Sequence, residues 1–189
     1  MPSVSKIEIT RPTPSVAFSS GLFSQTGAST PIVNTTDERR LIDGGVGTLS
    51  VPANGFKVGD TFWAYMAGVL SSNNGETLRL RIKTATGLVL GDTGLITMRN
   101  ATAKPFILDV KFSIWTIGGA GVASILTGGL FDYQENASDK FDSYIAGSLN
   151  NTTFDTTIAQ TLDITAQWGT ASPTNSIQTS IFFLNQVYG

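Results

Sequence analysis

The 189-residue chain contains neither cysteine nor histidine. Without Cys there can be no disulfide framework and no thiolate nucleophile. Without His, the usual zinc sites and the Ser-His-Asp and Cys-His nucleophiles are also excluded. We therefore predict a protein that is not an enzyme and that has no catalytic residues and no cofactor. A pair of carboxylates for cleaving glycans remains open, because the separation of two carboxyl groups cannot be read from a sequence.

Charged side chains are scarce as well. They make up 14% of the chain, against about 25% in typical globular proteins, and the net charge is −2. This balance gives no general reason to bind nucleic acid or an anionic membrane. The first residues lack the features of a secretory signal peptide, and no run of 18 apolar residues occurs. We expect a protein that is made in a cytoplasm, is not secreted by a signal peptide and does not enter a membrane.

The clearest strand pattern lies in residues 157–187. Apolar and polar residues alternate up to Trp168, which predicts a strand with one buried and one wet face, and with Trp168 in the core. A second predicted strand follows the loop 170–175. It carries four consecutive large apolar residues, Ile181, Phe182, Phe183 and Leu184. Because successive side chains point to opposite faces, we expect this strand to be covered on both, by the core and by either a second sheet edge or another copy of the chain.

From Val46 onward, turn residues interrupt the chain at short intervals and no amphipathic helix is found. Eight or nine short strands predict an all-β fold over residues 46–189, a single jelly-roll β-sandwich of two antiparallel sheets. An immunoglobulin-like sandwich is the alternative, although it usually needs about 100 residues and 7 strands. Residues 134–151 are interpreted as a polar loop.

Residues 1–45 are interpreted as an extended N-terminal arm. Residues 6–10 could form a short strand, and Pro12 and Pro14 then favour an extended path. The arm would anchor the protein to a neighbouring subunit or a particle surface; a flexible tail is the alternative. The anchoring side chains would be the isolated apolar residues Phe18, Phe23 and Ile32.

Two segments stand out, LIDGGVGTLSVPANGFKVGDTF at 41–62 and TIAQTLDITAQWG at 157–169, the latter followed by Asn175-Ser-Ile177. They resemble a group of virus-encoded jelly-roll proteins, the small structural and appendage proteins of double-stranded DNA viruses, including tailed phages and large algal or protist viruses. The resemblance spans about residues 40–188 and lies in loose, fold-related motifs. It implies a virion protein, such as a spike, fibre head, vertex or decoration protein. It also implies a jelly roll like that of tumour necrosis factor, whose members usually form trimers along an axis.

The resemblance and the apolar strand together predict a homotrimer that contacts other capsid or virion proteins through its arm. Trp63 and Tyr65 lie on a strand with aromatic residues on both faces. The predicted subunit interface therefore consists of Ile181, Phe182, Phe183, Leu184, Trp63 and Tyr65.

A second surface is predicted for a ligand or a partner. Trp115 lies opposite the main apolar face of its strand, and Arg79, Arg81 and Lys83 align along the wet face of another. An exposed Trp115 or Trp63, beside Asn and Asp in a groove, could bind a host-surface glycan, which gives the alternative function of a carbohydrate-binding module of an adhesion fibre. The basic residues could contact an acidic neighbour, a sulfated glycan or nucleic acid. The basic residues could equally form a solvated face that discourages edge pairing.

An acidic stretch close to the predicted loop leaves calcium binding open. Ca²⁺ prefers several oxygen ligands, but the spacing here does not match an EF-hand loop. The carboxylates are Asp132, Glu135, Asp139 and Asp142.

Overall fold

A computed structural model describes residues 20–136 and 141–188. Within these residues the chain forms fourteen β-strands, and no helix is long and apolar enough to cross a membrane. The strands are β1 (Ser20–Gln25), β2 (Ile32–Val33), β3 (Arg39–Arg40), β4 (Gly45–Gly47), β5 (Ser50–Val51), β6 (Thr61–Ser72), β7 (Thr77–Thr84), β8 (Val89–Asp92), β9 (Ile96–Thr97), β10 (Ala101–Thr116), β11 (Ser124–Gln134), β12 (Phe141–Asn150), β13 (Gln160–Trp168) and β14 (Ser176–Tyr188).

The strands form two antiparallel sheets. The large sheet has the order β12-β11-β10-β6-β14-β1-β4, and β2 also pairs with β14. The small sheet has the order β3-β13-β7-β8, with β5 paired to β13 and β9 to β7. The prediction of an all-β sandwich of two antiparallel sheets is therefore confirmed.

The core lies between the two sheets and follows the alternation of the longest strands. Every second residue of β7 is buried, and its partners on the other side of the strand are partly exposed. On β10 every second residue from Phe106 to Ile114 is buried. Trp168, at the end of β13, is 1% exposed and belongs to the core as predicted. Because side chains alternate across a strand, the other face of each sheet looks outward.

The apolar run on β14 keeps the alternation instead of breaking it. Phe182 and Leu184 point into the core and are 1% and 5% exposed. Ile181 is 55% exposed, and Phe183 lies half-buried on the outer face. Phe182 and Leu184 are therefore corrected from subunit contacts to core residues of their own chain. Ile181 and Phe183 remain on the surface that a second copy could cover.

Residues 20–45 differ from the expected arm, because they contribute strands to both sheets. β1 pairs with β14 and β4, while β3 pairs with β13 of the other sheet. Phe23 and Ile32, expected to anchor an arm elsewhere, are 8% and 4% exposed and pack in the core of their own chain. Phe18 lies outside the described residues. The short strands become recognisable only through the long strands with which they pair.

The interpretation of residues 134–151 as a polar loop is wrong. Residues 141–150 form β12, which pairs with β11 along its whole length. The strand escaped recognition because Tyr144 and Ala146 face inward while Ile145 and Leu149 face outward. With apolar residues on both faces and Ser, Gly and Asn between them, no alternation shows in the sequence.

Candidate subunit interface on the outer face of the large sheet

Three aromatic side chains meet on the outer face of the large sheet, and we call them the aromatic cluster: Trp63, Tyr65 and Phe183. Tyr65 on β6 lies directly opposite Phe183 on β14, and their rings stack with centroids 5.3 Å apart. The Trp63 ring meets Phe183 edge-on at 5.2 Å and Tyr65 at 6.3 Å. Such pairs contribute about 0.5–1.5 kcal/mol beyond the area they bury. The structure thus brings together three of the residues predicted for the interface.

Neighbouring charges on β10 hold the Trp63 ring in place. The indole N–H donates a hydrogen bond to Oδ1 of Asp109 at 3.1 Å. The ammonium of Lys111 lies 2.6 Å from the same oxygen and 5.5 Å from the centroid of the Trp63 ring. The polar atom of the indole is therefore satisfied within the chain, and the exposed part of the ring is apolar.

Exposed aliphatic side chains surround the aromatic cluster on the same face. Strand register places each of them on the outer side of its strand. They range from 36% exposed for Leu126 to 82% for Ile145. The set is Val46, Val69, Ile107, Leu126, Leu130, Ile145, Leu149 and Ile181.

These residues form a continuous surface across seven strands. One row of directly paired residues crosses the sheet from edge to edge, and only Asp109 and Ser24 in it are polar. The row runs Ile145, Leu130, Asp109, Tyr65, Phe183, Ser24, Val46. Sequence reasoning missed Ile145 and Leu130, because their position beside Tyr65 depends on recognising β12 and on the strand order.

The predicted basic stripe lies on the outer face of the small sheet, where acidic side chains of the same chain meet it. The guanidinium of Arg79 donates to Asp92 at 2.9 Å. Arg81 and Lys83 each lie 2.6 Å from a carboxylate oxygen of Glu38. The hydroxyl of Thr165 donates to Glu38 as well. Each of the three cations is thus paired with a carboxylate of its own chain, and the two carboxylates offset two of the three positive charges.

The two central carboxylates of this network stay ionised to unusually low pH. Burial acts to raise the pKa of Glu38, but hydrogen bonds from Lys83 and Thr165 and the charge of Arg81 outweigh it and leave the pKa below its ordinary value. The hydrogen bond from Arg79 is the largest influence on the pKa of Asp92 and lowers it, against the effect of burial. Both carboxylates therefore stabilise the fold in their charged form.

The features proposed for glycan binding lie at opposite ends of the molecule. Trp115 is 52% exposed near the end of β10. A shallow neutral cleft lined by Asn73, Asn100 and Asn136 lies beside Ala101, at the start of β10. At about 3.3 Å per residue, the strand between Ala101 and Trp115 spans roughly 45 Å. The exposed ring and the side-chain amides therefore do not form one groove.

The acidic stretch forms no metal centre within the described parts of the chain. Asp132 accepts a hydrogen bond from the hydroxyl of Ser143, and Asp139 lies outside the described residues. Across residues 20–136 and 141–188, no group of three or more His, Cys, Asp or Glu residues is placed to hold a metal ion.

No protein-family model matches the chain, and no curated protein matches it in sequence. Its function is therefore inferred from the outer face of the large sheet and from the resemblance of the two sequence segments.

Proposed function

We propose that this chain is a non-enzymatic structural protein of a virion, such as a capsid-surface spike, fibre head, vertex or decoration protein. It assembles as a homotrimer through the outer face of the large sheet. The observation that carries the proposal is the aromatic cluster, three packed rings on the outer face that the chain itself leaves partly exposed.

The exposed apolar surface matches what an interface needs. A fully exposed aliphatic side chain presents about 100 Å² of apolar surface, given that its burial is worth 2–3 kcal/mol at 25 cal/mol per Å². With the observed exposures, the eight aliphatic residues then present about 400 Å² before the rings are counted. A standard interface buries about 800 Å² per partner, a little over half of it apolar. The outer face thus offers the apolar part of one such interface.

The gross gain from the aliphatic residues is comparable to the cost of association. Burying about 400 Å² contributes roughly 10 kcal/mol per copy before the costs of association. Those costs are estimated at 4–15 kcal/mol, so burial of the rings as well is needed for a stable complex. The aromatic cluster lies near the middle of the face, where residues that dominate binding usually occur.

The strand order supports a jelly roll. From β6 onward the chain crosses between the sheets from β6 to β7, from β9 to β10, from β12 to β13 and from β13 to β14. Crossings of this kind are typical of Greek-key sandwiches and jelly rolls. The resemblance to the tumour-necrosis-factor-like jelly roll implies a trimer. The assignment to a virion, and contacts with other virion proteins through the residues before Ser20, rest on that resemblance.

A charge placed in the aromatic cluster tests the proposal. Phe183→Asp leaves the core intact, because Phe183 faces outward, but it buries a carboxylate in any interface formed there. The wild type is expected at about three times the 20.0 kDa chain mass in light scattering, and the variant at the mass of one chain with an unchanged circular dichroism spectrum. Leu95→Asp is the matched control, because Leu95 is 70% exposed in the segment between β8 and β9 of the small sheet. A wild-type monomer at micromolar concentration, or a trimeric Phe183→Asp, refutes the proposal.

One observation favours carbohydrate binding as a second candidate function. The half-exposed ring of Trp115 offers an apolar face with a polar N–H, as sugar-stacking side chains do. In this case a glycan array gives hits with the wild type, and Trp115→Ala loses them while remaining a trimer. An array without hits would contradict carbohydrate binding and leave the structural role as the remaining candidate.

A further inference from the structure

A small apolar cavity lies between the two sheets, at the end of the sandwich where β6, β11 and β13 begin and β7 ends. Its volume is about 50 Å³. Phe62, Phe112 and Ile125 of the large sheet and Leu90 and Leu162 of the small sheet form its walls, and all five are buried. The whole cavity therefore belongs to one chain, and an inference about it does not rest on the proposed trimer.

The mouth of the cavity lies beside the two-residue strand β5. Leu49, Val51 and Thr161 are partly exposed, whereas the other lining residues are buried. β5 pairs with β13 only opposite Gln160 and Thr161. Few main-chain hydrogen bonds hold this side of the cavity, so a small molecule can enter here without separating the long strands.

One polar side chain of the lining has an atom without a partner. Gln160 is 7% exposed, and its Nε2 donates a hydrogen bond to the carbonyl of Asp155 at 2.6 Å. Its Oε1 is buried and accepts no hydrogen bond from any described residue. The hydroxyls of the two other polar lining residues, Thr84 and Thr161, lie 2.8 Å and 2.6 Å from hydroxyl partners. A buried acceptor without a donor is unfavourable, so a molecule that brings one donor gains affinity at Gln160.

We propose that this cavity binds a small aliphatic alcohol. Its hydroxyl donates to Oε1 of Gln160, which follows the mouth residue Thr161 directly in β13, and its carbon chain points inward to the apolar walls. A cavity of about 150 Å³ can hold benzene. One of about 50 Å³ therefore has room for roughly two or three carbons, with the hydroxyl end at the mouth.

The lining also disfavours the other simple occupants. A buried water usually makes about three hydrogen bonds, and these walls offer a single free acceptor. A carboxylate or a phosphate would meet that acceptor instead of a donor, and no charged side chain lines the cavity. An alkane would leave Oε1 of Gln160 unpaired. An apolar chain with one donor is the chemistry that satisfies both the walls and the amide.

Methyl NMR of the full chain, titrated with 1-butanol, measures this binding. The methyl signals of Leu90, Ile125 and Leu184, which line the cavity, should shift and saturate, whereas those of Leu95, 70% exposed outside it, should not. 1-Fluorobutane has the same carbon chain without the donor. We expect it to bind the wild type about tenfold more weakly, which corresponds to the loss of one hydrogen bond.

Two variants assign the contacts. Gln160→Met removes the acceptor at a similar side-chain length and should bind both compounds with equal affinity. Val51→Phe places a ring in the mouth and should weaken 1-butanol binding by about tenfold or more. Val58→Phe is the matched control, because Val58 is 64% exposed and does not line the cavity, so this variant should bind as the wild type does.

Three results overturn the inference. They are the absence of a saturable shift at the lining methyl groups, a 1-butanol affinity that Val51→Phe leaves unchanged, and equal affinity of the wild type for 1-butanol and 1-fluorobutane. The last comparison needs no variant, so it decides the role of Gln160 whether or not Gln160→Met folds. Light scattering of the same samples tests the proposed assembly separately, because a monomer contains the complete cavity.

Discussion

The outer faces of the two sheets differ in character: one carries paired charged side chains and the other carries exposed apolar ones. On the small sheet, residues 36–40 run along the edge beside β13, and Glu38 alone accepts hydrogen bonds from Arg81, Lys83 and Thr165. Gln167 donates to the carbonyl of Thr36, and Arg40 pairs with Asp163 at 3.0 Å. On the large sheet the outer face carries three rings and eight exposed aliphatic residues, with one charged pair beside them.

The difference lies in whether the side chains of each face find partners within their own chain. The small sheet satisfies its charges with partners from its own chain, so it gains little from another molecule. The large sheet offers apolar surface that water covers unfavourably. Two surfaces were predicted from the sequence to meet a partner. The basic stripe is paired with acidic side chains of its own chain, whereas the face that carries the aromatic cluster leaves apolar surface exposed.

Two adjacent residues of β14 give the largest expected contrast. Phe182→Ala removes a ring from the core and should lower the free energy of unfolding by about 3–5 kcal/mol, at every protein concentration. Phe183→Ala removes a ring from the outer face, so its main effect should be on assembly. The loss in its unfolding midpoint relative to the wild type should grow with protein concentration, because the contact between copies exists only in the assembled state. Chemical denaturation at two concentrations measures both. Equal, concentration-independent losses would mean that the two faces of β14 do not differ in role.

Replacing one carboxylate by an uncharged amide should weaken the ion pairs on the outer face of the small sheet. Glu38→Gln leaves Arg81 and Lys83 with weakened partners, and these side chains are only 15% and 20% exposed. We expect a loss of about 1–2 kcal/mol in the free energy of unfolding and no change in the mass of the assembly. Asp37→Asn is the matched control, because the pair that Asp37 forms with Arg39 is about 60% exposed on both sides and should cost less than about 0.5 kcal/mol. A dissociated Glu38→Gln protein would show that the small sheet also takes part in assembly.

Acid should weaken the outer face of the small sheet, and we expect this effect to be the smallest of the three. The pKa values of Glu38 and Asp92 are lower in the folded chain than their ordinary values of 4.5 and 3.8. Their contribution is therefore fully present above the unfolded values and is lost as the pH falls through the folded ones. We expect the thermal midpoint to drop between pH 5 and pH 3, and to drop less in Glu38→Gln/Asp92→Asn. Parallel pH curves for the two proteins would contradict this assignment.

Most long strands could be predicted from the sequence because each has one buried face. The alternation of β7, β10 and β13 follows directly from that asymmetry. β12 and the strands of two or three residues could not, because their conformation is fixed by the strand beside them. Residues 20–45 therefore look irregular as a sequence but belong to both sheets.

The candidate interface was predicted in part. Trp63, Tyr65 and Phe183 could be identified because their strands carry more large apolar residues than one buried face can hold. The sequence could not distinguish Phe183 from Phe182, because two-residue alternation within an apolar run leaves the register undetermined. The partners of the basic stripe were missed for another reason: Glu38 lies 43 residues from Arg81 in the chain, a separation that no local pattern spans.

The pairing of β1 with β14 has a consequence for synthesis. The ribosome makes β6, with Trp63 and Tyr65, more than a hundred residues before Phe183. Until β14 emerges, β1 and β6 lack the strand that lies between them, and the third ring of the cluster does not exist. A nascent chain therefore cannot present the complete apolar outer face to its neighbours on the same messenger RNA. Self-association through this face begins only when synthesis of the chain is nearly finished.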